Sequence, residues 1–430
     1  MSLSCFDLGE RMLSVDEALV ALQELTPRPL AAETVALDSL AQRVLAEDVV
    51  SPIDVPQNTN AAMDGIALTL PQAAWSETEL PRLAIVGEVL AGSRFSTRPE
   101  AGEAVMVTTG APLPGGCDTV IMSEQLVIEP LFDEQQGSPQ RWVEVQRAET
   151  VHRGQNVRRA GEDIQRGQTA LNAGTRLRPQ HLGLLASLGL AETRVHRRPR
   201  VAIFSTGDEV TAPGALLPSA GIFDANRFSL RGLLSALGCE IVDLGILGDD
   251  RERIHATLDD AASVADMVIT SGGVSVGQAD WIKDALEQSG RLGFWRIAMR
   301  PGRPLAFGVL GEREVPFFGL PGNPVAVMVT FVQFVQPLLR TLQGEIHWQP
   351  RRLTAIADEP LKSRMGRVDY HRGNYHCDDQ GRLHVRITGR QGSGILSSMV
   401  AANCLIEIGN ARGDIAPGET VTLQPFGELT

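Results

Sequence analysis

The sequence predicts a multidomain α/β and β protein: a central, mostly parallel α/β sheet domain, an inserted β-rich domain, a helical and extended linking domain, and a C-terminal β-region of barrel or sandwich form. Three observations predict it. A chain of 430 residues is longer than one compact core ordinarily serves, so several domains are expected. Between residues 199 and 343, apolar strand-like runs alternate with amphipathic helix-like runs, the pattern of right-handed crossovers on an open parallel sheet. Before and after that stretch, the text turns to short β-prone runs split by Pro and Gly.

Taken in order, residues 1–27 read as an N-terminal helix that packs with the α/β domain, because Ser14 and Glu17 form a capping-box pair ahead of an amphipathic run to about Leu25. Residues 28–50 and 151–197 are assigned to the linking domain, with a second helix expected at Leu37 to Val44. Residues 51–150 form the inserted β-rich domain, carried by segments such as LAIVGEVL and EAVMVTTG. Residues 198–347 form the α/β domain: RVAIFSTG, a helix after Asn226, EIVDLGIL, a helix from about Arg251, DMVITSGG, a helix after Trp281, then FWRIAM, PLAFGV, VPFFGLPG and a helix after Asn323. The apolar run Pro324 to Leu339 is interrupted by Gln333, Gln336 and Pro337; it falls short of a membrane span and reads as a buried helix. Residues 348–430 return to short strands, RLTAIAD, RLHVRITG, NCLIEIG and ETVTLQPF.

The net charge of −13 disfavours a general nucleic-acid or anionic-membrane surface, since both reward a basic face. An anionic substrate must therefore meet local clusters of Arg. The five cysteines are scattered and lack CxxC spacing, so neither a disulfide framework nor a thiolate zinc site is expected. MSLSCFDLGERM lacks the basic-then-apolar order of a secretory signal, and a cytoplasmic location is expected.

Three Gly-rich turns close predicted strands of the α/β domain: STGDE (205–209), SGGVSVGQAD (271–280) and GLPGNP (319–324). Strand, small-residue turn and helix start bring backbone N–H groups up to an oxyanion. None matches GxGxxG or GxxxxGK[ST], which disfavours a dinucleotide or P-loop site. The turns also deliver acids: Asp208 and Glu209, then Asp280, with Asp249 and Asp250 after the strand ending at Leu247. Carboxylates beside a phosphate cradle can hold Mg²⁺ while substrate phosphates complete its shell. Helix capping is the alternative, and it stays open for Asp249 and Asp250. Positive charge concentrates in FWRIAMRPGRPLAFG, where one extended strand would turn Arg296 and Arg300 to the same face, with Arg303 following. Guanidinium forks suit an oxyanion. Outside this domain stand Asp64 in a Met-Asp-Gly turn, Thr109 in TTGAPLP, the charged connector GQNVRRAGEDI, and Arg372 with Ser393 in the glycine-rich C-terminal segments.

In order and approximate spacing, MDG (63–65), TTGAPLP (108–114), NVRRAGEDI (156–164), FSTGDE (204–209), FDANR (223–227), SGGVSVGQAD, RPGRP (300–304), GLPGNP, and HRG with QGS near the end resemble the molybdopterin molybdenumtransferases, the MoeA and gephyrin E-domain family. The resemblance covers nearly the whole chain. It implies a homodimer with its active site between subunits, an α/β domain like that of molybdopterin adenylyltransferases, and a C-terminal β-barrel. It implies insertion of molybdate into adenylylated molybdopterin with release of AMP, aided by Mg²⁺. In that reading Asp64, Glu209, Asp249 and Asp280 are catalytic, with Glu209, Asp249 and Asp280 as metal ligands. Thr109, Asp163, Ser275, Arg296, Arg300, Pro301, Arg303, Pro321, Gly322, Asn323, Pro324, Arg372 and Ser393 bind substrate or oxyanion. Molybdopterin adenylyltransferase and molybdoenzyme-maturation proteins are the implied transient partners, with no nucleic acid and no membrane. The chain departs from the family pattern at Ala62, usually Ser, at Ile66, usually aromatic, and at Arg296, Arg300 and Arg303, usually Lys. The alternative readings are a paralogue acting on tungstate, a molybdopterin adenylyltransferase, and a dimeric scaffold.

Overall fold

The computed structural model describes residues 12–24, 28–72, 75, 80–129, 141–248, 250–272, 290–345 and 348–428. Two compact units emerge, one built from residues 1–46, 174–178 and 194–430, the other from 47–173 and 179–193.

The first unit carries a seven-stranded sheet ordered Met12–Leu13, Gly290–Ile297, Pro304–Leu310, Val315–Leu320, Met267–Ser271, Arg200–Thr206, Glu240–Leu247. All pairings are parallel except the two made by Pro304–Leu310, the single reversed strand. The near-continuous hydrophobic runs arise because both faces are covered. Val201 and Ile203 enter the same core cluster as Leu230, Leu234 and Phe334, while Ala202 and Phe204 alternate into a second cluster with Ile254 and Leu258. Phe317 and Phe318 divide in the same way.

Helix Val15–Glu24 begins with the expected capping box: the Ser14 amide donates to Glu17 Oε2 at 2.8 Å, and the Glu17 amide donates to Ser14 Oγ at 3.1 Å. Its Ala18 and Leu22 seal one end of the first core. Ser14→Ala is expected to cost about 1 kcal/mol of stability, read as a lower denaturant midpoint; an unchanged midpoint would mean that packing alone holds this helix.

The helix expected at Leu37 to Val44 does not form. Only a single 3-10 turn, Leu37–Ser39, precedes a segment whose amides go elsewhere: Gln42 donates to the Leu177 carbonyl at 2.9 Å and Leu45 to that of Thr175 at 3.0 Å. Tertiary backbone pairing wins over local helix preference there. The apolar helix is longer than the sequence suggested, Pro324–Leu342, and with 19 residues it is long and apolar enough to cross a membrane; yet 78% of its most apolar window is buried in the protein. Its polar Gln333 donates to Gln424 Oε1 at 2.7 Å, which explains a glutamine in a core helix.

Strands Val368–Cys377, Leu383–Ile387, Leu353–Ala357, Thr420–Pro425 and Cys404–Ile408 close into a five-stranded barrel, because the last pairs back onto the first. Met299–Arg300 joins it as a sixth, parallel strand.

The second unit is built on a six-stranded sheet ordered Thr119–Met122, Gly65–Leu68, Glu103–Val107, Arg82–Val89, Arg141–Val145, Leu126–Glu129. Short pairings of Val49–Val50 with Thr169–Leu171 and of Asn60–Ala61 with Val157–Arg158 accompany it.

Candidate functional site

From Arg200–Thr206 the chain crosses to the edge strand Glu240–Leu247 and then back past its start to Met267–Ser271. The carboxyl ends of Arg200–Thr206 and Met267–Ser271 thus flank a topological switch point, where open α/β sheets bind ligands. A cavity of about 230 Å³ opens there, walled by Ser205, Thr206, Glu209, Asn226, Ser271 and Gly322 among others. Gly272 makes the close turn possible: its φ is +91°, and a Cβ would sit 3.0 Å from the Thr206 carbonyl oxygen.

Beneath the cavity lies a buried polar network. Asp224 accepts from Ser205 Oγ at 2.9 Å, from the Arg227 amide at 3.1 Å and from Arg227 Nε at 2.8 Å. Arg227 in turn donates from Nη1 to both oxygens of Asp243, at 2.7 and 2.6 Å. Ser205 and Ser271 hydroxyls stand 3.1 Å apart, and the Asn226 amide nitrogen donates to the Gly322 carbonyl at 2.8 Å. The FDANR segment thereby ties two of the Gly-rich turns to the helix Asn226–Ala236. In the sequence FDANR stands only as a motif, and nothing local marks a role for Ser205, Asp224, Asn226, Arg227 or Ser271.

The expected acids fare differently. Glu209 is exposed at the cavity rim. Asp250 is a helix cap, accepting from the Arg253 amide at 3.1 Å. Asp249, Ser275, Asp280 and the helix after Trp281 lie outside the described residues. Among the described residues no group of three His, Cys, Asp or Glu side chains is placed to hold a metal ion.

The arginines do not share one strand face. Gly290–Ile297 ends before Ala298, so Arg296 belongs to the α/β sheet beside Met12, whereas Arg300 belongs to Met299–Arg300, paired with Val368 and Asp369 of the barrel. The chain changes sheets between them. Arg296, Arg300 and Arg303 are exposed; Pro301 and Pro321 are buried.

Arg300 lies near Arg372. The Arg372 side chain is 1% exposed and donates to Ser398 Oγ at 3.1 Å and to the carbonyls of Tyr370 and Gly392 at 3.4 and 3.2 Å, all neutral acceptors. Burial, with the charge of Arg300 nearby, pushes its guanidinium down to about 10. Ser393 follows Gly392, and its carbonyl accepts from the Val325 amide at 3.0 Å. This last bond corrects an expectation: Pro324 has no N–H and the Val325 amide is already used, so the GLPGNP turn offers an anion fewer amides than its sequence suggests. The barrel arginine and the helix start are nevertheless brought together.

In the second unit, Asp64 and Thr109 meet. Asp64 Oδ1 accepts from the Thr109 amide at 2.6 Å and from its hydroxyl at 2.8 Å, and these donors hold the carboxyl below the usual carboxylate range. Gly65 is required beside it, since a Cβ would fall 1.8 Å from the Ile121 carbonyl oxygen. The Asp163 side chain is exposed; its amide donates to Val55 at 3.0 Å.

Fold and site define a multidomain α/β protein with a ligand cleft at a sheet switch point and a buried arginine beside its Pro-Gly-Asn-Pro turn. Residues 13–189 match the family model of the MoeA N-terminal region (domain I and II), residues 202–341 that of a probable molybdopterin binding domain, and residues 354–426 that of the MoeA C-terminal region (domain IV). A molybdopterin molybdenumtransferase of Haemophilus influenzae is 43% identical over 419 residues, covering 97% of this chain and 100% of that protein. One from Nostoc is 34% identical over 393 residues, 90% of this chain and 87% of its own. The crystal structure of a molybdopterin biosynthesis moeA protein from Pyrococcus horikoshii is 30% identical, with a TM-score of 0.80 over 97% of this chain and 100% of that one. The chain belongs to the MoeA family of molybdopterin molybdenumtransferases.

Proposed function

We propose that this protein inserts molybdate into adenylylated molybdopterin, with cleavage of the phosphoanhydride and release of AMP and molybdenum cofactor. The observation that carries this reading is Arg372, a buried guanidinium whose described acceptors are all neutral, beside a second arginine, Arg300. A buried cation with only neutral acceptors is costly until an anion arrives, and a tetrahedral dianion accepts several charge-assisted bonds at once. The relatives' names support molybdopterin and molybdate as its substrates.

Glu209 fits one ligand position for Mg²⁺, which keeps several waters and takes only one or two protein carboxylates; bound there, the ion would offset charge on the anhydride. Arg300, Arg303 and Arg372 with Ser393 would bind and orient the oxyanion, and Asp64 with Thr109 would act from the neighbouring subunit of a homodimer. Molybdopterin adenylyltransferase would supply the substrate, and a molybdoenzyme-maturation protein would receive the product. The free thiols of Cys117, Cys239, Cys377 and Cys404 support a reducing compartment such as the cytosol.

The test mixes purified protein, adenylylated molybdopterin, Mg²⁺ and molybdate, and follows AMP. Release that rises with molybdate is expected. AMP release unaffected by molybdate, from folded protein, overturns the reading, and tungstate in a parallel arm measures whether the arginines shift oxyanion preference.

A further inference from the structure

The cavity at the switch point is chemically unlike the arginine cluster. Among its described lining residues none is cationic; it is walled by hydroxyls, one amide and the carboxylates of Glu209 and Asp224, with Ile222, Phe223 and Pro324 supplying apolar surface. Such a lining suits the faces and edge of a heterocycle rather than a phosphate.

The polarity of that edge follows from counting protons. Asp224 already accepts two bonds from Arg227, and a carboxylate can only accept, so the Ser205–Asp224 bond uses the single proton of the Ser205 hydroxyl. Ser205 can then only accept from Ser271, which spends the Ser271 proton in the 3.1 Å contact between them. Both serines are almost fully buried, at 2% and 3% exposed, and Ser271 borders the cavity. Ser271 therefore faces a ligand with lone pairs and no proton. Asn226 is oriented by the bond from its side-chain nitrogen to the Gly322 carbonyl, which spends one of its two N–H groups and leaves its oxygen as an acceptor. Glu209 is a third acceptor at the rim. Independently, Thr206 Oγ1 lies on the same wall, buried and with no hydrogen-bond partner among the described residues, a polar group that a ligand can satisfy.

We propose that Ser271, its hydroxyl proton drawn inward by the Ser205–Asp224–Arg227 chain, is a specificity residue that accepts a hydrogen bond from an exocyclic amino group on the substrate's heterocycle. This rests on the proposed substrate, which carries two such groups, on the pterin and on the adenine. Both are amino-bearing rings, and the experiment separates them.

Binding of four probes to the full-length protein is measured by calorimetry: AMP against its 6-deamino analogue, and 6-hydroxymethylpterin against its 2-deamino analogue. One amino-bearing probe is expected to bind about tenfold more tightly than its deaminated partner, since a site built to pair a donor rejects the analogue that lacks it; which pair discriminates names the ring. Ser271→Ala should abolish the discrimination while keeping a cooperative melt. Ser205→Ala, which returns a free proton to Ser271, should narrow it. Equal binding within both pairs, no binding of any probe up to millimolar concentration, or discrimination that survives in Ser271→Ala overturns the proposal. Molybdate-dependent AMP release by the unsubstituted protein is followed alongside. If that release is present while discrimination is absent, only the ring-reading inference fails; if it is absent, the substrate reading fails with it.

Discussion

Replacing Arg372 with methionine is expected to lower molybdate-dependent AMP release by about 10²–10³-fold, the scale on which a preorganised donor to an oxyanion acts. The guanidinium is fixed before any ligand arrives: Ser398, Tyr370 and Gly392 hold it from three directions, and the barrel buries it. Its pKa moves the wrong way for a structural ion pair, down to about 10, because burial and Arg300 both disfavour the charged form. At neutral pH it remains charged, so the ligand-free fold bears that cost, and an oxyanion bound beside it would relieve it. Molybdate should therefore raise the melting temperature of the wild-type protein and leave that of Arg372→Met unmoved. The ligand-free Met variant should melt close to wild type, as relief from a buried charge offsets the lost hydrogen bonds. Arg372→Lys keeps the charge but not the fork and should fall between them. A Met variant that retains the molybdate-induced shift, and turnover within about threefold of wild type, would remove Arg372 from the oxyanion site.

What the sequence revealed tracks how local the physics is. The capping box at Ser14 and Glu17 spans three residues and forms as read. The alternation of strands and helices across the α/β domain depends on periodicity within each segment, and the doubly covered sheet follows from runs such as VPFFGL that leave neither face polar. The Leu37 to Val44 segment misled because the amides of Gln42 and of Leu45 just beyond it pair with backbone carbonyls more than a hundred residues away in the chain. Arg296 and Arg300 misled because nothing in FWRIAMR marks the point where the chain leaves one sheet for another. The polar network under the cavity was hidden for the same reason: Ser205 meets Ser271 across 66 residues, and Asn226 meets Gly322 across 96. Each residue alone reads as an ordinary turn or cap former. Asp64 and Thr109, 45 residues apart, share that property, and it was the order of motifs rather than their chemistry that singled them out.

That pair underlies the second large effect. Asp64→Ala and Glu209→Ala are each expected to lose turnover by about 10²-fold or more, consistent with loss of a group that acts in the transition state. Mixed and allowed to exchange subunits, the two inactive variants should recover activity, because in a two-fold dimer whose sites each take Asp64 from one chain and Glu209 from the other, a heterodimer contains one site with both residues intact. If both residues acted from the same chain, each variant subunit would spoil its own site and mixing would restore nothing. The state of Asp64 gives an independent check. Thr109 donates to it twice, so its carboxylate persists below the ordinary range and is protonated only as the pH falls through that lowered value. Thr109→Val removes the hydroxyl donor while the amide stays, and a carboxyl-carbon NMR titration should then show Asp64 taking up its proton at higher pH. Turnover on the acid side should lose its footing correspondingly earlier. An acid limb and an Asp64 titration that stay put in Thr109→Val would mean that the hydroxyl contributes neither to the charge of Asp64 nor to its part in the reaction.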